Sequence, residues 1–132
     1  MLYSSAGNST SKNSASLKIK QSDIAFGITP DKETSLPNPA ELFLGSLAAC
    51  ILKNVERFSV LMHFTYSNAE IVINATRLEK PPRMDEIQYH LKIYSQDKSL
   101  NLDLLKKNIE NHGTIYNTVK EVCTITGTIT IV

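Results

Sequence analysis

The chain has 132 residues, 42% hydrophobic and 20% charged, with a formal net charge of +1. That is an ordinary globular composition, long enough to bury a real core as a single domain over 1–132 and too short for two comfortable ones. Its 14 Lys and Arg residues are scattered rather than gathered into the basic stripe of a nucleic-acid binder, so no nucleic-acid partner is expected. No apolar run approaches the ~18 residues of a membrane span, and the N-terminus lacks the basic-then-apolar order of a secretory signal. Two widely separated cysteines in such a chain point to the reducing cytoplasm, where a structural disulfide is the less common use of thiols.

In chain order, Met1 to Asn13 is rich in Ser, Asn and Thr and reads as an edge strand or a loose tail. Ser16 to Lys20 alternates apolar and polar residues as a half-exposed strand, with Ile24 to Ile28 as its hairpin partner across Gln21-Ser22-Asp23. Thr29 to Pro37 is a loop punctuated by prolines. Asn38 then suits a helix N-cap, Pro39 the first helical position, and Glu41 the positive end of the helix dipole. The spacing of Leu44, Leu47, Ala48, Ile51, Leu52 and Val55 predicts a helix from Pro39 to about Phe58.

Alternation predicts strands over Glu70–Leu78 and, after Pro81-Pro82, from Ile87 to Tyr94. A second helix fits Leu102 to about Asn111, ended by Gly113, with Thr114 capping a short turn through Val119. Val122 to Val132 reads as a final strand. Strands and helices segregated in this way belong to the α+β class, with helices packed on a largely antiparallel sheet.

Cys50 sits mid-helix on a stripe with Phe43, Leu47, Asn54 and Arg57, and Lys53 and Asn54 are its nearest polar neighbours. It reads either as a small buried hydrophobe or as a nucleophile, the latter where a nearby cation favours the thiolate. His63, His90 and His112 show no metal-ligand spacing, so no metal and no cofactor are expected.

Asn38-Pro39-Ala40-Glu41-Leu42-Phe43 followed by Ala48-Ala49-Cys50 resembles the reactive-cysteine helix of the OsmC/Ohr family of thiol-dependent hydroperoxide reductases. Glu79-Lys80-Pro81-Pro82-Arg83 leading into Ile87-Gln88-Tyr89-His90-Leu91 is similar to the family's proline turn and central strand. Asn111-His112-Gly113-Thr114-Ile115-Tyr116 resembles its second-cysteine segment. The resemblance implies an intertwined homodimer with sites at the subunit interface. It also implies a first cysteine that becomes a sulfenic acid on attacking a hydroperoxide, a second that closes a disulfide on it, and an arginine and glutamate that position the peroxide. A nearby thiol traps sulfenic acid fast and prevents overoxidation.

Of that set, Cys50 matches the first cysteine. The second falls on Gly113, the glutamate on Ala40 with Glu41 next door, and the arginine on Asn8. One residue along a helix turns a side chain by about 100°, which makes Glu41 a doubtful orienting acid. His112, beside the lost cysteine position, is a further lining residue if the fold is the family's. Cys123, on the apolar face of the last strand with Ile125, Ile129 and Ile131, reads as structural in preference to a replacement resolving thiol.

With the resolving thiol and both orienting charges missing at Gly113, Ala40 and Asn8, two-cysteine peroxidase activity is expected to be low or absent, and activity overall weak, one-cysteine or lost. Two functions stay open. In one, Cys50 reduces a small organic hydroperoxide in a one-cysteine cycle regenerated by an external thiol. In the other, the interface pocket persists without redox chemistry and holds a small apolar ligand.

Overall fold

Alternation in the first part of the chain builds a meander of three antiparallel strands, β1 (Ala6–Thr10), β2 (Ser14–Ile19) and β3 (Ser22–Phe26), in the order β1-β2-β3. The computed structural model describes residues Met1–Val132 and divides into two units, Met1–Phe43 and Leu44–Val132. Of the serine-rich start, Ala6–Thr10 is thus an edge strand, and Met1–Ser5 precedes it without regular structure. Both hairpin turns are closed by lysines in the left-handed region, Lys12 at φ 63° and Lys20 at φ 54°. Because Ile19 pairs directly with Ser22, the second turn is only Lys20-Gln21, and Ser22 and Asp23, expected in the turn, belong to β3. That register sets Lys18 opposite Asp23, 3.6 Å apart, an exposed pair that contributes little. Beyond β3 a single 3₁₀ turn, Lys32–Thr34, interrupts the expected loop.

Helix α1 (Pro39–Leu61) starts where Asn38 and Pro39 predict. Asn38 Oδ1 accepts from Glu41 N at 2.9 Å, and Glu41 Oε1 accepts from Asn38 N at 3.1 Å, a reciprocal capping box. The helix runs past the expected Phe58 to Leu61. It is closed by bonds from Phe64 N to Ser59 O (3.0 Å) and from His63 N to Val60 O (3.3 Å), with His63 at φ 57°. This is the Schellman pattern with histidine where glycine is usual, so the sequence carries no glycine stop signal there.

An apolar face of α1, Leu47, Ile51, Val55 and Phe58, is buried in the core of the second unit. The stretch around the helix contains an 18-residue window apolar enough to cross a membrane by length and composition, and 17% of that window is buried. This corrects the expectation that no apolar stretch approaches the length of a membrane span: the window is apolar on average although polar residues interrupt it. Buried Asn54 and exposed Lys53, Glu56 and Arg57 mark the C-terminal half as a core helix with a wet side.

The second sheet has the order β4-β5-β6, with β4 (Asn68–Glu79), β5 (Pro82–Tyr94) and β6 (Ile125–Ile131). β4 and β5 form a hairpin around Lys80 and the cis-bonded Pro81. Their register shifts at Ala75, which faces both Glu86 and Ile87; Glu86 lies at φ 51°, the left-handed first residue of a bulge. β6 pairs with β5 in parallel, reached through α2 (Leu102–His112) and α3 (Thr114–Val119). The other three pairings are antiparallel, so the sheets are largely antiparallel as expected.

Ile87, Tyr89, Leu91 and Ile93 of β5 form the buried face, packed with Leu105 and Ile109 of α2 and Tyr116 and Val119 of α3. Asn101 caps α2 by accepting from Leu104 N at 3.1 Å. Gly113, and not Thr114, is the N-cap of α3. The last strand begins at Ile125 rather than Val122. Val122 N and Cys123 N both bond to Val119 O, closing a turn that continues α3. Gly127 opposes Tyr89, and a Cβ there would fall 2.0 Å from the tyrosine ring, so the ring lies across the glycine.

Candidate functional site

Cys50 lies in the middle of α1 in the second unit, half-buried between the core stripe and the wet side. Two residues lie against it. Asn54, one turn on and 7% exposed, donates from Nδ2 to the Cys50 carbonyl at 3.0 Å, with Sγ at 3.8 Å. Gly113, buried between α2 and α3, faces the sulfur: a Cβ on it would stand 2.9 Å from Cys50 Sγ, 3.0 Å from Tyr116 Cβ and 3.3 Å from Asn54 Nδ2.

Gly113 does not serve as a left-handed helix stop. Its φ of −77° and ψ of 121° suit any residue, so the demand for glycine there is steric. The fold therefore brings Cys50 against the position where the resemblance puts the second cysteine, and that position has no side chain.

Around this cluster, His112 ends α2, exposed, with its ring 5.6 Å from that of Phe58, and the Arg57 guanidinium lies over the Phe58 ring at 5.4 Å. Tyr116 is buried below Gly113. Glu110 accepts from Tyr89 Oη at 2.8 Å and from Lys106 Nζ at 3.0 Å. Burial first, and then Glu110, push the phenols of both Tyr89 and Tyr116 well above the ordinary tyrosine range. The network fixes α2 and α3 on β5 and so holds Gly113 in place.

Cys123 packs against the core and donates from Sγ to Met84 O at 3.2 Å; burial, then Asp85, raise its thiol above the usual range. Glu41 and Asn8 belong to the N-terminal unit. The Glu41 carboxylate is engaged by the Asn38 amide, and Asn8, exposed on β1 opposite Ser16, lines a shallow hollow of about 220 Å³. His90 Nδ1 meets Thr128 Oγ1 on the outer face of the second sheet. No histidine belongs to a group of three or more potential metal ligands.

Sequence reasoning recognised Asn54 as a neighbour of Cys50 but not as the amide that touches it, and it did not single out Glu110. An (i, i+4) Cys-Asn pair in a helix was the available signal for the first. Nothing local marks the second.

The family model for OsmC-like proteins matches residues 31–127. Comparison with curated proteins finds no match. Among solved structures, the OsmC-like protein from Mycoplasma pneumoniae superposes with a TM-score of 0.89 at 18% identity, covering 100% of this chain and 98% of that one. An organic hydroperoxide resistance protein from Elizabethkingia anophelis gives 0.73 at 12% identity, covering 100% and 99%. The organic hydroperoxide resistance protein OsmC from Legionella pneumophila gives 0.70 at 12%, covering 98% of each chain. With the family model spanning most of its length, the chain belongs to the OsmC-like protein family.

Proposed function

We propose that the protein is a one-cysteine hydroperoxide reductase. The observation that carries this reading is the seating of Cys50 Sγ on Gly113. A sulfenic acid formed at Cys50 has no thiol opposite it and must be resolved from outside. The Cys50 thiolate attacks the terminal peroxide oxygen, the O–O bond breaks, and the alcohol leaves after taking a proton. Cysteine is oxidised to Cys50–SOH and the hydroperoxide is reduced. An external thiol then condenses with the sulfenic acid, releasing water and leaving a mixed disulfide. A second thiol restores Cys50 and carries away the small-molecule disulfide.

A homodimer is part of the proposal, and two features support it. Every residue of β1 is exposed, and a small sheet needs a covering face for stability. Along α1, Phe43 and Val60 are 37% and 66% exposed. A cytoplasmic setting fits two free thiols.

The second reading, a non-catalytic pocket for a small apolar ligand, is favoured by one observation: the Glu41 carboxylate is committed to the helix cap. The deciding experiment is a stoichiometric pulse of an organic hydroperoxide in the presence of a cyclic 1,3-diketone trap, read by mass spectrometry. Adduct on Cys50 with Cys123 untouched supports the reductase. A Cys50–Cys123 disulfide would contradict the one-cysteine cycle, and no change at either thiol would leave the binding module.

A further inference from the structure

Asn54 is an unusual residue for its position. Asparagine is a poor helix former, and burying its carboxamide in an apolar helix face costs free energy unless the amide is satisfied. At 7% exposure it is nonetheless inside, one turn from Cys50. Its orientation is dictated by chemistry. The group 3.0 Å from the Cys50 carbonyl oxygen must be the NH₂ end, because two oxygens there would repel. One N–H is used on that carbonyl. The same nitrogen lies 3.8 Å from Sγ and 3.3 Å from the point where a side chain at 113 would begin. The amide therefore fills the angle between Cys50 and Gly113 and turns its remaining N–H toward the sulfur.

We propose that Asn54 is a positioning residue for Cys50, an amide hooked on the cysteine's own carbonyl that holds Sγ against Gly113 and donates to it in its anionic forms. A hydrogen bond to the charged form of an acid favours that form, and bonds to ionised groups are stronger than neutral ones. The donor lies on the side facing Gly113. The other ionisable groups on the three helices are Glu41 in the cap of α1 and exposed Lys53, Glu56 and Arg57 beyond it; Asp103, Lys106, Lys107, Glu110 (bonded to Tyr89 and Lys106) and exposed His112 on α2; and buried Tyr116 on α3. The amide is the side chain bonded to both the carbonyl and the sulfur of Cys50. The inference rests on Cys50 as the working thiol for its catalytic meaning, but the contact itself is measurable without peroxide.

The test is twofold. In ¹⁵N-labelled protein, the Asn54 side-chain amide resonances are followed across the range where a thiol ionises, about pH 6 to 10, in the natural chain and in Cys50→Ser. The expected result is a titration of the amide signal that disappears in Cys50→Ser. In parallel, the pH profile of Cys50 alkylation is compared between the natural chain and Asn54→Ala. The expected result is a roughly tenfold slower reaction at neutral pH in Asn54→Ala, the scale of losing one charge-assisted donor. An amide signal indifferent to Cys50, or an unmoved profile in Asn54→Ala, overturns the proposal; should that variant fail to fold, the resonance measurement on the natural chain decides. If both results appear and hydroperoxide still leaves no sulfenic acid, the reductase reading falls while the Asn54 contact stands.

Discussion

Gly113 and Cys50 approach so closely that a single added carbon at 113 would sit 2.9 Å from the sulfur. Across a disulfide, the Cβ of one cysteine lies about 3 Å from the sulfur of the other, since the S–S bond is about 2.05 Å. The contact that is too tight for an alanine is therefore the contact a disulfide uses. Gly113→Cys is expected to close a bond to Cys50 after one equivalent of hydroperoxide, seen as the loss of two titratable thiols and a two-proton mass decrease (about 2 Da). Gly113→Ala keeps the crowding without the bond. It should lose about 1–3 kcal/mol of stability in urea denaturation, because the backbone there is ordinary and the penalty is steric.

Glu41 separates two roles by one atom. As the carboxyl half of a capping box it accepts from Asn38 N, which the amide oxygen of glutamine does equally well. Glu41→Gln should leave the rate of Cys50 sulfenic acid formation within about twofold, whereas Asn38→Ala should cost about 1 kcal/mol of stability. A large loss of rate in Glu41→Gln, with the melting temperature unchanged, would give the carboxylate back its orienting role.

The pH dependence of stability has two edges. Asp85 accepts from Thr124 N and Glu86 N, and Asp97 from Ser99 and from Thr65 N; these bonds hold both carboxyls below their ordinary range. A depressed carboxyl contributes stability that is present above its unfolded pKa and lost as pH falls through the folded one. Thermal stability should therefore drop below about pH 4, less steeply in Asp85→Asn. At the alkaline edge, burial, then Glu56, push Tyr66 up to about 12, and Tyr89 and Tyr116 are raised too. Phenols raised in the folded state contribute stability below about pH 10 that is lost as pH climbs through their folded values. Absorbance of tyrosinate should show four of the 5 tyrosines ionising late, because the bond to Glu70 raises Tyr94 as well, with Tyr66, Tyr89 and Tyr116 ionising together with unfolding. Glu110→Gln should bring Tyr89 and Tyr116 back toward the ordinary range.

The ring of Tyr89 lies where a side chain on Gly127 would be, 2.0 Å away. Gly127→Ala must swing the ring out and break the 2.8 Å bond to Glu110. A loss of about 3 kcal/mol or more is expected by chemical denaturation, at the upper end of overpacking penalties because a buried hydrogen bond goes with it. Gly45 offers the contrast, with nothing within 4 Å of its would-be Cβ. Gly45→Ala should gain about 0.5–1 kcal/mol from helix propensity. If a second copy covers this side of α1, sedimentation should instead show weakened association, and more strongly in Ala49→Glu.

Read alone, the residues determine the segments. Asn38, Pro39 and Glu41 form a helix start because capping is chemistry among neighbours. The alternation gives β5 a buried and β4 a half-buried face, each opposite an open one, because side chains alternate on any pleated chain. The matched run from Asn38 to Cys50 also carries the family. The end of α1 escaped because His63 takes the left-handed place of a glycine, and the start of β6 escaped because Cys123 packs on the core from a turn. What only the tertiary structure decided are the long-range meetings: β6 beside β5 in parallel, Tyr89 across Gly127, and Cys50 with Asn54 against Gly113. Each depends on how helices and strands far apart in the chain are brought together, and packing at that scale is a property of the whole core.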